Sequence, residues 1–190
     1  MKFYSTITLK NGSQCIIRNC TEQDTEAVLE NFALTHRQTD YLLSYPDESS
    51  MTVEQEAIFL KDREESPVEI ELLAELGGAV VGLAGIGRIG SREKVRHRAE
   101  FGISVDRQYW GLGIGRALTR ACIDCAVVAG YDQLELSVVA DNSKAVALYR
   151  SAGFVEFGRN PKGFRSRFSG WQELVLMRLE LNAQNGPEDS

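Results

Sequence analysis

The stretch Val105-Asp106-Arg107-Gln108-Tyr109-Trp110-Gly111-Leu112-Gly113-Ile114-Gly115-Arg116 restricts the fold of this chain more than any other segment. Before it, Phe101, Ile103 and Val105 alternate with Glu100, Gly102 and Ser104, the period of a strand. After it, helical spacing runs to about Ala129, where Gly130 supplies a stop. The glycines between them let backbone amides approach a ligand with no side chain in the way. The helix N-terminus adds partial positive charge. A strand, a glycine turn and a helix in that order suit a phosphate or pyrophosphate, with Arg116 able to add a full charge at the rim. The same glycines would equally make a tight turn with no ligand. Two other phosphate loops fail on spacing. A P-loop closes with Lys-Ser/Thr, which is absent, and G-x-G-x-x-G/A meets Arg116 counted from Gly111 and Leu118 counted from Gly113.

Around this turn the chain alternates between the two hydrophobic periods, with no internal repeat. Residues 6–9 and 14–18 flank Asn11-Gly12, a hairpin signal. Thr21 caps an expected helix with Asp24 three residues on and Ala27, Leu29, Phe32 and Leu34 as its apolar positions. A second helix is expected over 52–64, with Thr52 as cap, Ala57, Phe59 and Leu60 inside, and a break at Pro67. Strands follow at 69–76 and 79–86 about Gly77-Gly78. Residues 88–98 read as a basic loop. Beyond the glycine turn come a strand at 133–139, a helix at 143–152 and strands at 154–158 and 172–181, with 159–170 as a connection. This order predicts an α+β domain: a mixed, mostly antiparallel central sheet flanked by helices, and not a doubly wound sheet. One domain is expected over 1–182, with a disordered tail at 183–190.

Composition narrows the function. A net charge of −6 disfavours a general nucleic-acid binder and would tolerate a cationic partner. The basic and aromatic residues of 159–170 (Arg159, Lys162, Arg165, Arg167, Phe164 and Phe168) read as a hairpin connection beside a substrate mouth rather than a nucleic-acid patch. No apolar run is long enough to span a bilayer, and the first ten residues do not read as a secretory signal, so a cytoplasmic location without membrane partners is expected. Cys15, Cys20, Cys122 and Cys125 then read as core thiols, including the C-x-x-C pair inside a helix. No metal site is expected.

A second motif lies downstream by one helix and one strand: Asn142-x-x-Ala145-x-x-Leu148-Tyr149-x-x-x-Gly153-Phe154. Taken alone, Asn142 is a helix N-cap, Tyr149 an aromatic on the helix's apolar face, Gly153 a C-cap and Phe154 core. Taken with the glycine turn, the segment resembles motif B of the GNAT superfamily of acyl-CoA-dependent N-acyltransferases. The turn itself resembles motif A, Q/R-x-x-G-x-G/A, with Trp110 in the Q/R position and Gly113 and Gly115 as the glycines. A second register through Gln108, Gly111 and Gly113 is also readable. The form Y-W-G-x-G-I-G is similar to the branch holding ribosomal-protein N-terminal and spermidine acetyltransferases. The resemblance is strong over 99–158 and rests on layout before that.

The resemblance implies the GNAT fold, in which the family's fourth and fifth strands splay apart. It implies acetyl-CoA as co-substrate and a primary amine as acceptor, on a small molecule or a protein N-terminus, with a homodimer through the closing strands allowed. Cofactor contacts fall to Ile103, Ser104 and Val105 along the strand, to Trp110, Gly111, Leu112, Gly113, Ile114, Gly115 and Arg116 at the turn, and to Asn142 and Lys144. Tyr149 becomes the general acid for the departing thiolate and Glu100 the base. An alkylammonium must lose a proton before it attacks, and Glu71 and Glu75 are the next carboxylates able to take it. His36 and His97 fall on no motif. A catalytically silent acyl-CoA-binding module on the same fold is the competing reading, and Tyr149 speaks against it.

Overall fold

The computed structural model describes residues 1–48 and 51–181; the expected tail lies outside them. Strands β1 (Tyr4–Thr8) and β2 (Gln14–Asn19) form the hairpin about Asn11-Gly12. Helices α1 (Thr25–Gln38) and α2 (Val53–Glu65) follow, then β3 (Ile70–Leu76), β4 (Ala79–Arg88) and β5 (Arg98–Val105). Helix α3 (Ile114–Val128), β6 (Gln133–Val139), α4 (Ser143–Ser151), β7 (Val155–Ser166) and β8 (Gly170–Glu180) complete the chain. The eight strands make one sheet in the order β1-β2-β3-β4-β5-β6-β8-β7. Every neighbouring pair is antiparallel except β5 with β6. Among the described residues no helix is long and apolar enough to cross a membrane.

The middle strands are covered on both faces, which is why they carry runs such as Leu72-Leu73-Ala74 instead of strict alternation. Ile70, Leu72, Ala84, Ile86 and Phe101 pack with Leu118 and Cys122 of α3 and Tyr149 of α4. On the other face Cys20, Leu73 and Leu83 pack with Val28 of α1 and Leu60 of α2. Both N-terminal helices differ from the expected pattern. Thr21 and Asp24 cap a short 3-10 turn, and α1 begins only at Thr25. The stripe of α1 against the sheet is Val28, Asn31 and Thr35, while Ala27, Leu29, Phe32 and Leu34 stay half-buried. The polar residues there are bonded in part: Asn31 Nδ2 donates to the Val80 carbonyl at 2.9 Å while its Oδ1 is buried without a partner among the described residues, and Thr35 Oγ1 donates to the Asn31 carbonyl at 2.9 Å. In α2, Glu56 and Leu60 are buried, and Ala57 and Phe59 only partly.

The connection expected at 159–170 is mostly strand. β7 continues to Ser166, with register shifts between Glu156 and Gly158 and between Asn160 and Phe164. These bulges let a long strand bend, and its tip docks on the loop between α1 and α2. Asp40 holds this junction. Its Oδ2 accepts from Ser166 Oγ at 2.6 Å, Ser169 Oγ at 3.0 Å and Gln172 Nε2 at 3.2 Å. Arg167 pairs with Asp47 at 2.8 Å, stacks over Tyr45 at 4.2 Å and donates its amide to the Tyr45 hydroxyl at 2.8 Å. Arg159 pairs with Glu156 and Glu173. Arg159 and Arg167 of this hairpin are therefore paired with acids of the same chain.

Asp40→Ala strands several donors at once and is expected to cost about 1–3 kcal/mol. Urea unfolding checks it, and a change below a few tenths of a kcal/mol would show that the hairpin tip is held without this carboxylate.

Candidate functional site

The turn before α3 presents a row of backbone donors. Gly111 (φ 82°) and Gly113 (φ 107°) adopt left-handed conformations that side chains disfavour. Among the described residues, no amide of 111–116 donates to a protein acceptor. Ile114 turns its side chain into the core, so only its amide faces the turn, while Arg116 is exposed. The turn is clamped from behind: Asp106 Oδ1 accepts from the Gln108 amide at 3.0 Å and from Gln38 Nε2 at 2.8 Å, and Gln38 Oε1 accepts from the Arg107 amide at 2.8 Å. Trp110 crosses the end of β5, its Nε1 donating to the Val105 carbonyl at 2.7 Å, with Lys144 Nζ 5.7 Å from the ring centre. Asn142 caps α4 by accepting from the Ala145 amide at 3.3 Å. The glycine turn and the start of α4, far apart in sequence, therefore form one rim.

Below this rim the sheet opens. β5 and β6 pair only at Arg98–Gln133, Ala99–Leu134 and Glu100–Glu135, and no ladder pair follows among the described residues. From Leu136 onward β6 pairs with β8 alone. Ile103, Ser104 and Val105 thus keep their β4 partners but lack partners on the β6 side. Tyr149 and Glu100 stand on opposite faces of this opening. Tyr149 packs edge-on against Phe101 with ring centres 6.1 Å apart, on the α3 face. Burial pushes its phenol pKa upward. Glu100, the next residue along from Phe101, points to the other face and is exposed.

Glu71 shares that second face. It pairs across β4 with Gly85, and Gly85 pairs with Gly102 of β5. Burial drives the Glu71 pKa up to about 7, Glu56 adds to the rise, and Arg63 opposes it. Glu75 is engaged by Arg18 at 3.0 Å, which removes it as a free carboxylate. His36 is buried, bonded to the Phe32 carbonyl at 2.8 Å, and its pKa is lowered by burial. His97 is exposed at the closed end of the strand pair. Burial raises the pKa values of the Cys122 and Cys125 thiols, Cys125 to about 11, as expected for core thiols. Sequence reasoning missed the Gln38–Asp106 clamp and the glycine pair beside Glu71. The alternation Gly85-x-Gly87 was the only local signal for the latter.

Comparison with known proteins agrees with this geometry. The sequence model of the Acetyltransferase (GNAT) family matches residues 31–154. The L-amino acid N-acetyltransferase AaaT of Escherichia coli is 31% identical over 154 residues, covering 79% of this chain and 88% of the relative. The N-alpha-acetyltransferase RimI of Mycobacterium tuberculosis is 42% identical over 92 residues, covering 48% of this chain and only 56% of the relative's length. An acetyltransferase of the GNAT family from Streptococcus pneumoniae superposes with a TM-score of 0.84 at 29% identity, over 87% of this chain and 99% of that one.

The raised pKa of Glu71 has a consequence for stability. The folded value of about 7 exceeds the ordinary 4.5, so the native state disfavours the charged carboxylate. Stability from this group is greatest at low pH and is lost as pH rises through about 7. Glu71→Gln is therefore expected to raise the Tm by roughly 2–8 °C at alkaline pH and by much less near pH 4.5. Thermal melts across that range check it, and an equal shift at both ends would mean that Glu71 is uncharged throughout.

Proposed function

Because the chain belongs to the Acetyltransferase (GNAT) family, we propose that it transfers an acetyl group from acetyl-CoA to a primary amine, on a small molecule or a protein N-terminus. The observation that carries this reading is the opening of β5 from β6 directly beneath a turn of unpaired amides. The pyrophosphate suits the amides of Gly111, Leu112, Gly113, Ile114, Gly115 and Arg116, with the α3 dipole behind them. Arg116 and Lys144 add charge at the rim. Trp110 and Asn142 hold the rim's two sides in place. The unpaired edge of Ile103, Ser104 and Val105 suits the amides of the pantetheine arm, which would pair as an added strand does. The relatives named for L-amino acids and for N-alpha groups support an amine acceptor. Reduced thiols at Cys15, Cys20, Cys122 and Cys125 support a cytoplasmic setting.

The two faces divide the chemistry. Glu100 takes one proton from the acceptor ammonium, leaving a lone pair that attacks the thioester carbon. As the C–N bond forms and the C–S bond breaks, Tyr149 gives its proton to sulfur, the nitrogen sheds its surplus proton to solvent, solvent reprotonates Tyr149, and Glu100 returns its proton to solvent. One proton is released per amide formed. The raised phenol pKa keeps Tyr149 protonated until a thiolate develops beside it. Direct transfer is favoured because all four cysteines are buried.

Calorimetric titration with acetyl-CoA, followed by thiol release with alanine, cadaverine and an unblocked tripeptide as acceptors, tests the reading. Binding with release on one class of amine is expected. Binding without release on any amine would favour the silent module, and absence of binding would reject the assignment of the turn. Tyr149→Phe is expected to lower kcat by about 100-fold or more while acetyl-CoA affinity stays unchanged. Glu100→Gln should flatten the acidic limb of the kcat profile. An unaltered kcat in the first variant, or a persistent limb in the second, would remove that residue from the mechanism.

A further inference from the structure

We infer that Glu71 is the second carboxylate of an ammonium subsite built on a glycine floor, and that the acceptor binds there as a cation before Glu100 takes its proton. This rests on the acetyl-transfer reading but on a separate set of residues. Cross-strand partners place Glu71, Gly85 and Gly102 in one row on one face of β3, β4 and β5. The neighbouring row pairs Gly87 with Glu100. Three glycines thus strip the floor between the two carboxylates.

The space over each glycine differs. A Cβ on Gly85 would lie 2.2 Å from Glu71 Oε2, so the carboxylate lies directly across β4 and requires glycine beneath it. A Cβ on Gly87 would lie 3.4 Å from Arg63 Nη2, and Arg63 is held by Glu69 at 2.9 Å and by the Ile86 carbonyl at 3.3 Å. A Cβ on Gly102 would meet nothing within 4 Å. The open place is therefore over Gly102. It lies one strand spacing from the Glu71 carboxylate, about 4.8 Å, and two residues, roughly 7 Å, from Glu100 along the same face. An ammonium with hydrogen bonds of about 2.8 Å fits between them.

Charge balance points the same way. The titratable groups around Glu71 are Glu56 and Arg63 from α2, Cys20 just after β2 and Cys122 of α3, with Glu69 just before its own strand and Glu100 on β5. The Arg18–Asp24 pair lies beyond Cys20. Arg63 is the one cation of this set next to Glu71, and Glu69 shares it. A carboxylate with so little counter-charge is costly to ionise, and a cationic acceptor supplies the missing charge. Glu71 ionises as pH rises through about 7. The KM for a cationic amine is therefore expected to climb as pH falls below that value, and amine binding near it should release protons.

The test compares wild type, Glu71→Gln and Gly102→Ala. Steady-state kinetics across neutral pH use whichever panel amine turns over fastest, and cadaverine is titrated into the coenzyme A complex in two buffers of different ionisation enthalpy. Glu71→Gln should raise KM by about 10- to 100-fold, the loss of one hydrogen bond to a charged group, with kcat and acetyl-CoA affinity unchanged. Its KM should no longer depend on pH, and proton release on cadaverine binding should vanish. Gly102→Ala should raise KM while keeping the pH dependence, because its methyl enters only the proposed subsite. A KM in Glu71→Gln equal to wild type, or a fall in kcat with KM unchanged, would overturn the subsite, as would cadaverine binding and proton release identical in both proteins. The calorimetry needs no turnover. Glu71-dependent binding without thiol release would sink acetyl transfer alone, and thiol release without Glu71 dependence would sink the subsite alone.

Discussion

The ladder between β5 and β6 ends after three residue pairs, and the functional architecture depends on that ending. Two parallel strands with apolar, β-branched residues would ordinarily zip along their length. Here β6 is pulled away by β8, which pairs with it over all seven of its residues, while β5 follows β4. The wedge between them leaves backbone donors and acceptors on the facing edges of β5 and β6 without a strand partner, while β2, β3 and β4 are paired on both edges. Such groups are costly unless water or a ligand satisfies them. The wedge also passes through the sheet, so a phenol on one face and carboxylates on the other can serve one reacting centre without touching each other.

The cluster around Glu71 belongs to the opposite face and is arranged by cross-strand register, which no short window of sequence contains. The Asn11-Gly12 hairpin, the α2 cap at Thr52, the glycine turn and the α4 cap at Asn142 were legible because each depends on residues within a few positions of one another. The parallel wedge was legible only through resemblance. The glycine floor left only the alternation Gly85-x-Gly87 as a local trace. Gly85 and Gly102 become neighbours of Glu71 only when three strands align, and nothing near Glu71 in the chain marks it out.

The errors over the helices and the last hairpin have a similar cause. Asn31 and Thr35 replace apolar residues on the buried stripe of α1, where the Val80 carbonyl and the helix backbone accept from their Nδ2 and Oγ1, a tertiary fact that a hydrophobic pattern does not carry. Residues 158–166 look like a loop because they contain Gly158, Pro161 and Gly163, yet β8 supplies a partner along most of their length and the bulges absorb the misfits. Gly163 lies where a Cβ would come within 2.3 Å of Leu174, so the turn-like residue is there for packing. Arg159 and Arg167 look like a basic patch until their acids, Glu173 and Asp47, are brought up from elsewhere in the chain.

The bond network of Asp40 joins segments that lie 126 to 132 residues apart. A chain emerging from the ribosome presents the loop bearing Asp40 long before the hairpin that will hold it. The half-sheet of β1 to β5 can assemble early, but the junction held by Asp40 waits for the β7–β8 hairpin to appear. Until then the unfinished edge of β5 is open to any extended segment able to pair with it. The vulnerable period in the life of this protein is therefore the interval between the synthesis of β5 and that of β8, and shortening it is a task for chaperones or for fast local closure of the β7–β8 hairpin.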